Sequence, residues 1–283
     1  MTKIKQLRLL AAAITLVLPS IFNSAKGNDF SFNTLNKNDT ATVIREFLAS
    51  RNHTTVSSAA SLGTVIGGFE VGLLGGISNA PGTEAIVRKQ KSDANVVLPL
   101  GALFARVSLP FCVTLEASGT PSVDLKDVKA SHWGAALSCT ISDFFPLLPF
   151  DMAATYQRTS SELEIKTVIN NISTGNSPVN STLKLNGVAN EAKLILSKSF
   201  LLFELFAGGG VIFNYTGELG VSGAGNIFDP SFTTKTSTKV EEDTETHFFG
   251  GFNVHPLPLL TFGGEYSRLF GTDNFIFKLA VGF

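Results

Sequence analysis

Charge of both signs is scarce in this chain of 283 residues. Lys and Arg number 22, Asp and Glu number 23, and charged residues make up 16% of the sequence. A nucleic-acid-binding protein needs a basic patch, and a net charge of −1 argues against one. No two of the histidines His53, His132, His247 and His255 have metal-ligand spacing. We therefore expect neither nucleic acid as a partner nor a metal or other cofactor.

Long apolar runs are also missing after the N-terminus, although hydrophobic residues make up 44% of the chain. A run of about 18 apolar residues would be needed for a transmembrane helix. An apolar chain without such a run is typical of a transmembrane β-barrel, whose strands alternate between lipid and lumen. Phe occurs 24 times, against one Trp and three Tyr.

The alternation is clearest in the last ten residues. One face of this stretch carries Phe275, Phe277, Leu279, Val281 and Phe283, and the other carries Ile276, Lys278, Ala280 and Gly282. The pattern resembles the closing strand of Gram-negative outer-membrane β-barrels. That resemblance implies that Phe275, Phe277 and Phe283 form a C-terminal signal for the barrel assembly machinery.

The N-terminus has the pattern of a secretory signal peptide over residues 1–25. Lys3, Lys5 and Arg8 form a positive region, an apolar stretch runs from Leu9 to Leu18, and small residues end near Ala25. We therefore expect export through the inner membrane.

Residues 26–66 form a segment between the signal peptide and the first strand. Apolar residues at helical spacing predict a short helix over 41–50. The small and polar stretch from His53 to Gly63 follows. It is either a plug in the lumen or across the periplasmic mouth, or a loose periplasmic lead-in, and the sequence leaves both readings open.

Residues 67–283 are predicted to form one antiparallel up-and-down barrel of ten strands, or twelve if one hairpin is missed. Turns are expected near Pro110, Pro146, Lys198 and Pro256 on the periplasmic side. Long loops are expected at about 80–96, 119–129, 159–180 and 216–243 on the outer side, and alternation over 162–166 could extend a strand into the third of them. Short turns at one end and long loops at the other are usual in transmembrane barrels.

Polar residues at alternate strand positions are predicted to line the lumen. The candidates are Glu70, Arg106, Glu116, His132, Asp151, Glu191, Lys193, Glu204, His247, Glu265 and Lys278. They form either a polar channel or ion pairs that fill a narrow lumen. Acids outnumber bases, so a conducting lumen would favour cations.

The opposite face is predicted to contact lipid. Trp133, Tyr156, Tyr215 and Tyr266 fall toward outer strand ends, where amphipathic rings suit the membrane interface. Strand alternation assigns Cys112 to the inward face and Cys139 to the outward face. Since opposite faces cannot be bridged without a bulge, we expect no disulfide.

Two stretches resemble a family of uncharacterised predicted outer-membrane proteins. They are His53-Thr54 through Gly68-Phe69-Glu70-Val71-Gly72, and Leu109-Pro110-Phe111. The resemblance covers about residues 50–215 and implies no chemistry. A barrel with a luminal N-terminal segment is also similar in outline to fatty-acid transporters, which are longer and have more strands.

The leading hypothesis is a porin-like passive channel or transporter for small solutes, hydrophobic ones included. The alternative is a structural or surface-binding barrel that acts through its outer loops. A weaker alternative is a membrane-embedded hydrolase. Neighbouring Ser131 and His132 face opposite sides of a strand and make no catalytic pair, whereas His132 and His247 could meet across the lumen with an acid. A lone histidine in a barrel is more often a hydrogen-bonded lumen residue, so we expect no enzyme activity.

Overall fold

The fold is a closed barrel of ten antiparallel strands, as predicted. The computed structural model describes residues 37–62, 67–89, 95–125, 128–145, 147–170, 178–226 and 231–282. The strands are β1 (Gly68–Asn79), β2 (Val97–Ser108), β3 (Val113–Leu125), β4 (Val128–Thr140), β5 (Asp151–Asn170), β6 (Pro178–Ser199), β7 (Phe203–Asn226), β8 (Ser231–Leu257), β9 (Leu260–Leu269) and β10 (Thr272–Gly282). The helices are α1 (Lys37–Ser50) and α2 (Pro81–Arg88), and a 3-10 turn spans Ile141–Phe144.

Each strand pairs with its neighbours in sequence, and β10 closes the barrel on β1. Val71 lies opposite Val281 and Ile77 opposite Phe275 in that closing pair. Closure gives each strand two neighbours, so the strands satisfy most of one another's backbone groups around the barrel. Within the described ranges, no helix is long and apolar enough to cross a membrane.

The strands differ in length around the barrel. β5 to β8 have 20, 22, 24 and 27 residues, whereas β9 and β10 have 10 and 11. The predicted long loops at 159–180 and 216–243 are therefore wrong, because most of both stretches continues as paired strands. Their Ser, Thr and Gly content suggested loops. β-Branched Thr nevertheless favours strands, and a strand with water outside does not need an apolar outer face.

The ends of the barrel are distinct. The short-turn end carries the connections after β2, β4, β6 and β8. The long-strand end carries the outer ends of β5 to β8, and α2 lies at the same end between β1 and β2. α2 occupies part of the loop predicted at 80–96, and β3 and β4 extend into the loop predicted at 119–129.

Helix α1 packs inside the barrel near the long-strand end. Its Ile44, Phe47 and Leu48 join a buried apolar cluster with Leu185 and Leu219 from the wall. Two wall glycines make room for the helix. A Cβ atom at Gly187 would overlap Leu48, and one at Gly217 would overlap Ile44. The helix thus fits a recess in β6 and β7.

Helices α1 and α2 are joined by the buried carboxylate of Glu46. The amides of Gly82 and Thr83 donate hydrogen bonds of 2.6 and 2.7 Å to its two oxygens. These amides belong to the first turn of α2, where free N–H groups and the helix dipole favour an anion.

A bulge in β7 reverses the direction of its side chains. The register with β6 shifts between Val188 and Asn190, and Asn214 has a φ of 51°. Below this point odd-numbered residues such as Leu205 and Val211 face outward, and above it Tyr215 is fully buried. The prediction that Tyr215 lies on the lipid face is therefore wrong, because one extra residue inverts the alternation.

The pairing of β2 with β3 is incomplete. It ends at Leu103 opposite Gly119, although β2 extends back to Val97 and β3 extends on to Leu125. The hydroxyl of Thr120 donates to the carbonyl of Gly101 just beyond this point. Other strand pairs continue over longer stretches, so this seam interrupts the hydrogen bonding of the wall.

Cys112 and Cys139 form a disulfide, with an S–S distance of 2.08 Å and a Cα–Cα distance of 4.7 Å. The prediction of no disulfide is wrong because Cys112 does not belong to β3. Phe111 and Cys112 have φ values of 66° and 71°, and the strand begins only at Val113, opposite Cys139. A left-handed turn directs the Cys112 side chain independently of strand alternation.

Candidate functional site

The lumen contains the chain segment that follows α1. We call residues 52–60 the plug. His53, Thr54, Thr55, Val56, Ser57, Ser58 and Ala59 are all buried within the barrel. The plug leads from α1 near the long-strand end toward the short-turn end, where β1 begins. The sequence left open whether this stretch is a plug or a loose periplasmic lead-in. In the structure it lies in the lumen.

The middle of the plug hydrogen-bonds to carboxylates of the wall. The Thr54 hydroxyl donates to Glu265 at 3.0 Å, and the Thr55 hydroxyl donates to Glu116 at 2.6 Å. Glu265 and Glu116 lie on strands β9 and β3. The plug is thus attached to different parts of the wall by bonds to charged groups, which are stronger than bonds between neutral groups.

The two ends of the plug are held in a similar way. At the upper end, the carbonyl of His53 accepts from Gln157 at 3.0 Å and the His53 amide donates to Thr159 at 3.1 Å. At the lower end, the Ala59 amide donates to Ser197 at 3.1 Å and the Ala59 carbonyl accepts from Thr140 at 2.9 Å. Side chains of the wall therefore satisfy the backbone of the plug.

An ion network crosses the lumen beside the plug. Arg106 contacts Glu116 at 3.2 Å through Nε and Glu70 at 3.3 Å through Nη1. Lys278 contacts the other oxygen of Glu70 at 3.3 Å. All four side chains are buried and lie on the adjacent strands β10, β1, β2 and β3. The network keeps its charges paired, as buried ions require.

A second cluster is centred on Glu191. One carboxylate oxygen lies 2.6 Å from Nδ1 of His247, and the other accepts from Asn52 at 2.8 Å and Gln157 at 2.7 Å. Asn52 belongs to the plug, so this cluster also attaches the plug to the wall.

The remaining lumen candidates contact other side chains of the barrel. His132 is 3.0 Å from the Ser161 hydroxyl, and Glu204 accepts from Ser199 at 3.0 Å. The Lys193 ammonium lies 5.4 Å from the centre of the Phe249 ring. Asp151 is only partly buried, 3.4 Å from Ser142 at the short-turn end. His132 and His247 thus have different partners.

Apolar side chains share the lumen with these polar groups. A second buried cluster contains Val56 and Ala59 of the plug together with wall residues Leu74, Phe104, Phe206 and Ile276. A Cβ atom at Gly134 would lie 2.6–2.8 Å from the His53 ring and Cβ, so this glycine leaves room for the plug. The plug is packed as well as hydrogen-bonded.

The serine and histidine side chains give limited catalytic geometry. His53 Nδ1 lies 2.7 Å from Ser118 Oγ, and His53 Nε2 lies 3.8 Å from Glu116. A serine, a histidine and an acid are the components of a hydrolytic triad. Here, however, the histidine belongs to the plug, and all three side chains are buried in the lumen. Among the residues that the structure describes, no group of three or more His, Cys, Asp and Glu residues could hold a metal ion.

The C-terminal candidates lie on the outer wall as far as the structure describes them. Phe275 and Phe277 are exposed on β10. Phe283 and the predicted signal peptide lie outside the described residues.

An ion pair lies on the outer surface of the barrel near the long-strand end. The hydrogen bond from Lys184 lowers the pKa of Glu164, and the two side chains are 3.1 Å apart on β6 and β5.

Sequence reasoning did not identify the individual plug contacts. Asn52, Thr54 and Thr55 are short polar residues without a motif, and their partners Glu191, Glu265 and Glu116 come from distant parts of the chain. The available signal was compositional: a small, polar stretch too long for a linker between a helix and the first strand.

Comparison with solved structures finds other barrels at low identity. The outer membrane protease OmpT from Escherichia coli is 12% identical, with 80% of this chain and 98% of that chain covered and a TM-score of 0.40. The toluene transporter TbuX of Ralstonia pickettii is 7% identical, with coverages of 83% and 92% and a TM-score of 0.33. The toluene transporter TodX of Pseudomonas putida is 9% identical, with coverages of 82% and 92% and a TM-score of 0.31. These values carry no functional argument.

No curated protein matches the chain. One family model does, and it matches residues 1–269, nearly the whole sequence. The chain belongs to this family, described as "Family of unknown function (DUF6588)".

Proposed function

We propose that the protein is a gated passive channel of the Gram-negative outer membrane, which carries small solutes when the plug leaves the lumen. Export by the N-terminal signal peptide and recognition of Phe275, Phe277 and Phe283 by the barrel assembly machinery are part of this proposal. The plug carries the argument, because a peptide segment held in a lumen by reversible contacts can act as a gate.

The outer wall supports the membrane location. Its exposed residues include Leu103, Leu115, Leu137, Leu194, Leu205, Phe252 and Phe262, and they lie on seven different strands. The exposed rings of Trp133, Tyr156 and Tyr266 lie toward the long-strand end of this apolar surface, where amphipathic side chains suit a lipid–water interface. Outward apolar and inward polar residues are the arrangement of a transmembrane barrel.

The contacts of the plug support movement. Each hydrogen bond to Glu116, Glu265 or Ser197 has a net value of about 0.5–1.5 kcal/mol, or more to a charge, because water can replace either partner. A hydrated lumen could therefore retain the wall's polar groups after the plug has left. A plug held only by apolar packing would instead expose apolar surface to water when it moved.

The lining supports small solutes of mixed character. Arg106 and Lys278 are paired with Glu70, whereas Glu191 and Glu265 contact the plug's neutral Asn52 and Thr54. Loss of the plug would leave these acids facing the lumen, which favours cations over anions. The apolar band around Phe104 and Phe206 would suit hydrophobic solutes.

Two opposed variants test the gate. Gly134→Val places a side chain against His53 and should increase solute efflux from vesicles. Gly101→Val is its control, because a Cβ there meets nothing within 4 Å.

The opposite variant fixes the plug in the lumen. The pair Ala59→Cys and Ser197→Cys, in a Cys112→Ser, Cys139→Ser background, should crosslink the plug to the wall, since the Ala59 amide lies 3.1 Å from Ser197 Oγ.

We expect crosslinking to abolish efflux and reduction to restore it. The background without native cysteines, carried through the same oxidation and reduction, is the control. Equal efflux from crosslinked and reduced protein would contradict the gate. Heat-modifiable mobility on gels would establish that each variant has folded.

The proposal includes no enzymatic step. Ser118→Ala removes the hydroxyl beside His53 and should leave efflux unchanged or slightly raised, because it only weakens one plug contact. Hydrolysis of lipid or ester substrates by the unaltered protein, lost in Ser118→Ala, would favour the hydrolase alternative instead.

The length of β5 to β8 favours a second candidate, a structural or surface-binding barrel. These strands continue well beyond Tyr156 and form paired hairpins at the long-strand end. A rigid β-extension can present a surface more stably than loose loops. Shortening of both hairpins beyond the wall residues that contact α1 should leave efflux intact if the protein is a channel, whereas it should remove binding to cells or matrix if the hairpins are the active part.

A further inference from the structure

The four turns at the short-turn end carry apolar side chains where a water-facing turn would normally be polar. Leu147 and Leu201 are 97% and 98% exposed, and Phe111 is 89% exposed. Phe144, Phe145, Leu202, Leu257 and Leu259 are exposed in the same set of turns. Leu147, Leu201 and Phe111 are more exposed than the apolar residues of the wall, and the other turn residues are exposed to a similar degree as the wall.

The turns are continuous with the apolar wall. Val107 and Leu109 lead from β2 to Phe111, and Phe203 leads from β7 back to Leu201. No charged residue separates the wall from the turn at either place. The apolar turns follow β2, β4, β6 and β8, and therefore surround the barrel. A ring around the axis suits a planar layer of lipid, whereas a protein partner would cover one side.

The length of the wall gives an independent argument. On β5 and β9 the upper limit of the apolar surface is marked by Tyr156 and Tyr266, because exposed Arg158 and Arg268 follow two residues later on the same face. From Tyr156 down to the start of β5 at Asp151, the strand rises about 13 Å along the barrel axis, if a rise of 3.3 Å per residue is reduced by a tilt near 40°.

The same estimate for β9 gives about 15 Å, from Tyr266 down to Leu260. The apolar band of a transmembrane barrel is about 25 Å tall. Both strands are thus short by roughly 10 Å, which the apolar turns must supply.

We propose that the short turns are immersed in the same bilayer as the wall, so that Leu147, Leu201 and Phe111 contact lipid acyl chains. Lys198, next to the turn after β6, donates to the Pro149 carbonyl. This carbonyl gives the ammonium a hydrogen-bond partner where the apolar wall meets the turn. The ligand of this surface is membrane lipid of the inner leaflet, and the inference rests on the proposed membrane location.

The test uses single cysteines labelled with an environment-sensitive nitrobenzoxadiazole dye. Both native cysteines are in the disulfide, so the added cysteine is the one available for labelling. Leu147→Cys and Leu201→Cys report on the turns, Leu194→Cys reports on the wall, and Glu218→Cys reports on the exposed outer face near the long-strand end. The proteins are inserted into phosphatidylethanolamine–phosphatidylcholine vesicles with or without spin-labelled lipid.

We expect dyes at 147 and 201 to emit at blue-shifted wavelengths, with at least roughly half the lipid quenching found at 194, while the dye at 218 behaves as in water. Water-like emission at 147 and 201 together with lipid quenching at 194 would overturn this inference and leave the membrane location intact. Water-like emission at 194 as well would overturn the membrane location itself.

Discussion

The two halves of the barrel have opposite polarity. Near the short-turn end, Leu194 and Leu205 face outward, while Glu116 and Lys278 face the lumen. Near the long-strand end, Lys184 and Glu218 face outward, while Leu185, Leu219 and Ile44 are packed inside. The first half is built for lipid outside and polar contents within, and the second half is built like a soluble protein.

The difference shows how one sheet can have an apolar outer face in one half and a polar outer face in the other. The bulge near Asn214 inverts the alternation of β7, so that Leu205 below and Tyr215 above face opposite ways. Helix α1 supplies the apolar core of the second half, and the plug supplies polar partners in the first half. The contents of the barrel therefore match the wall that surrounds them at each level.

The largest effect is expected from an arginine on the outer wall. Leu194→Arg should lower the free energy of unfolding in vesicles by about 2–4 kcal/mol, because a charge would face lipid. Asn186→Arg, outward on the same strand β6 in the other half, should change it by less than about 0.5 kcal/mol. Urea unfolding in lipid measures both. An equal loss of unfolding free energy in the two variants would contradict the contrast between the halves.

Overpacking beneath α1 should have the next largest effect. Gly217→Val would overlap Ile44 and should destabilise the protein by about 1–3 kcal/mol. Gly220→Val is the matched control, since a Cβ there would meet Lys184 only at 3.9 Å or more. Thermal unfolding that is unchanged in Gly217→Val would mean that α1 does not pack against this part of β7.

A smaller, local difference is expected between two parts of the wall. Amides of β2 at 97–102 that point toward β3 should exchange with solvent deuterium about ten times faster than amides of β7 at 207–211, because the β2–β3 pairing ends at Leu103. Hydrogen exchange with mass spectrometry resolves these segments. Equal protection would show that the seam is closed by other bonds.

The smallest effect concerns the outer surface of the long-strand half. Lys184→Met should raise the pKa of Glu164, since the hydrogen bond from Lys184 lowers it. A lowered pKa in the folded state contributes stability above the unfolded-state pKa and loses it as pH falls through the folded-state pKa. We expect little change in unfolding, because the pair lies at the outer surface with Lys184 half exposed, where water screens the interaction. NMR titration of Glu164 gives the shift, and an unchanged pKa would contradict it.

The features that follow directly from strand alternation were predicted from the sequence. The strand count, the closing strand and the outward direction of Phe275 and Phe277 follow from a period of two. The sequence did not predict Tyr215 or the disulfide, because a bulge at Asn214 and left-handed residues at Phe111 and Cys112 each break the period. Glycine is the usual residue at left-handed positions, and none of these three residues is a glycine, so nothing in the sequence marks the breaks.

The outer parts of β5 to β8 were missed for a different reason. Ser, Thr, Asn and Gly dominate these stretches and predicted loops, whereas clear alternation is confined to short pieces such as Leu163 and Ile165 between Glu162, Glu164 and Lys166. The plug contacts depend on partners brought together only by closure of the barrel. No local signal in the sequence pairs Thr55 with Glu116.

The central claim is that the plug fills the lumen at rest and leaves it when the channel opens. The most direct measurement is the rate at which a membrane-impermeant maleimide labels Ser57→Cys, a buried position in the plug, in vesicles. We predict slow labelling in the otherwise unaltered chain and labelling about ten times faster with Gly134→Val, in step with increased efflux. Rapid labelling in the unaltered chain, or increased efflux with no change in labelling, would contradict the account.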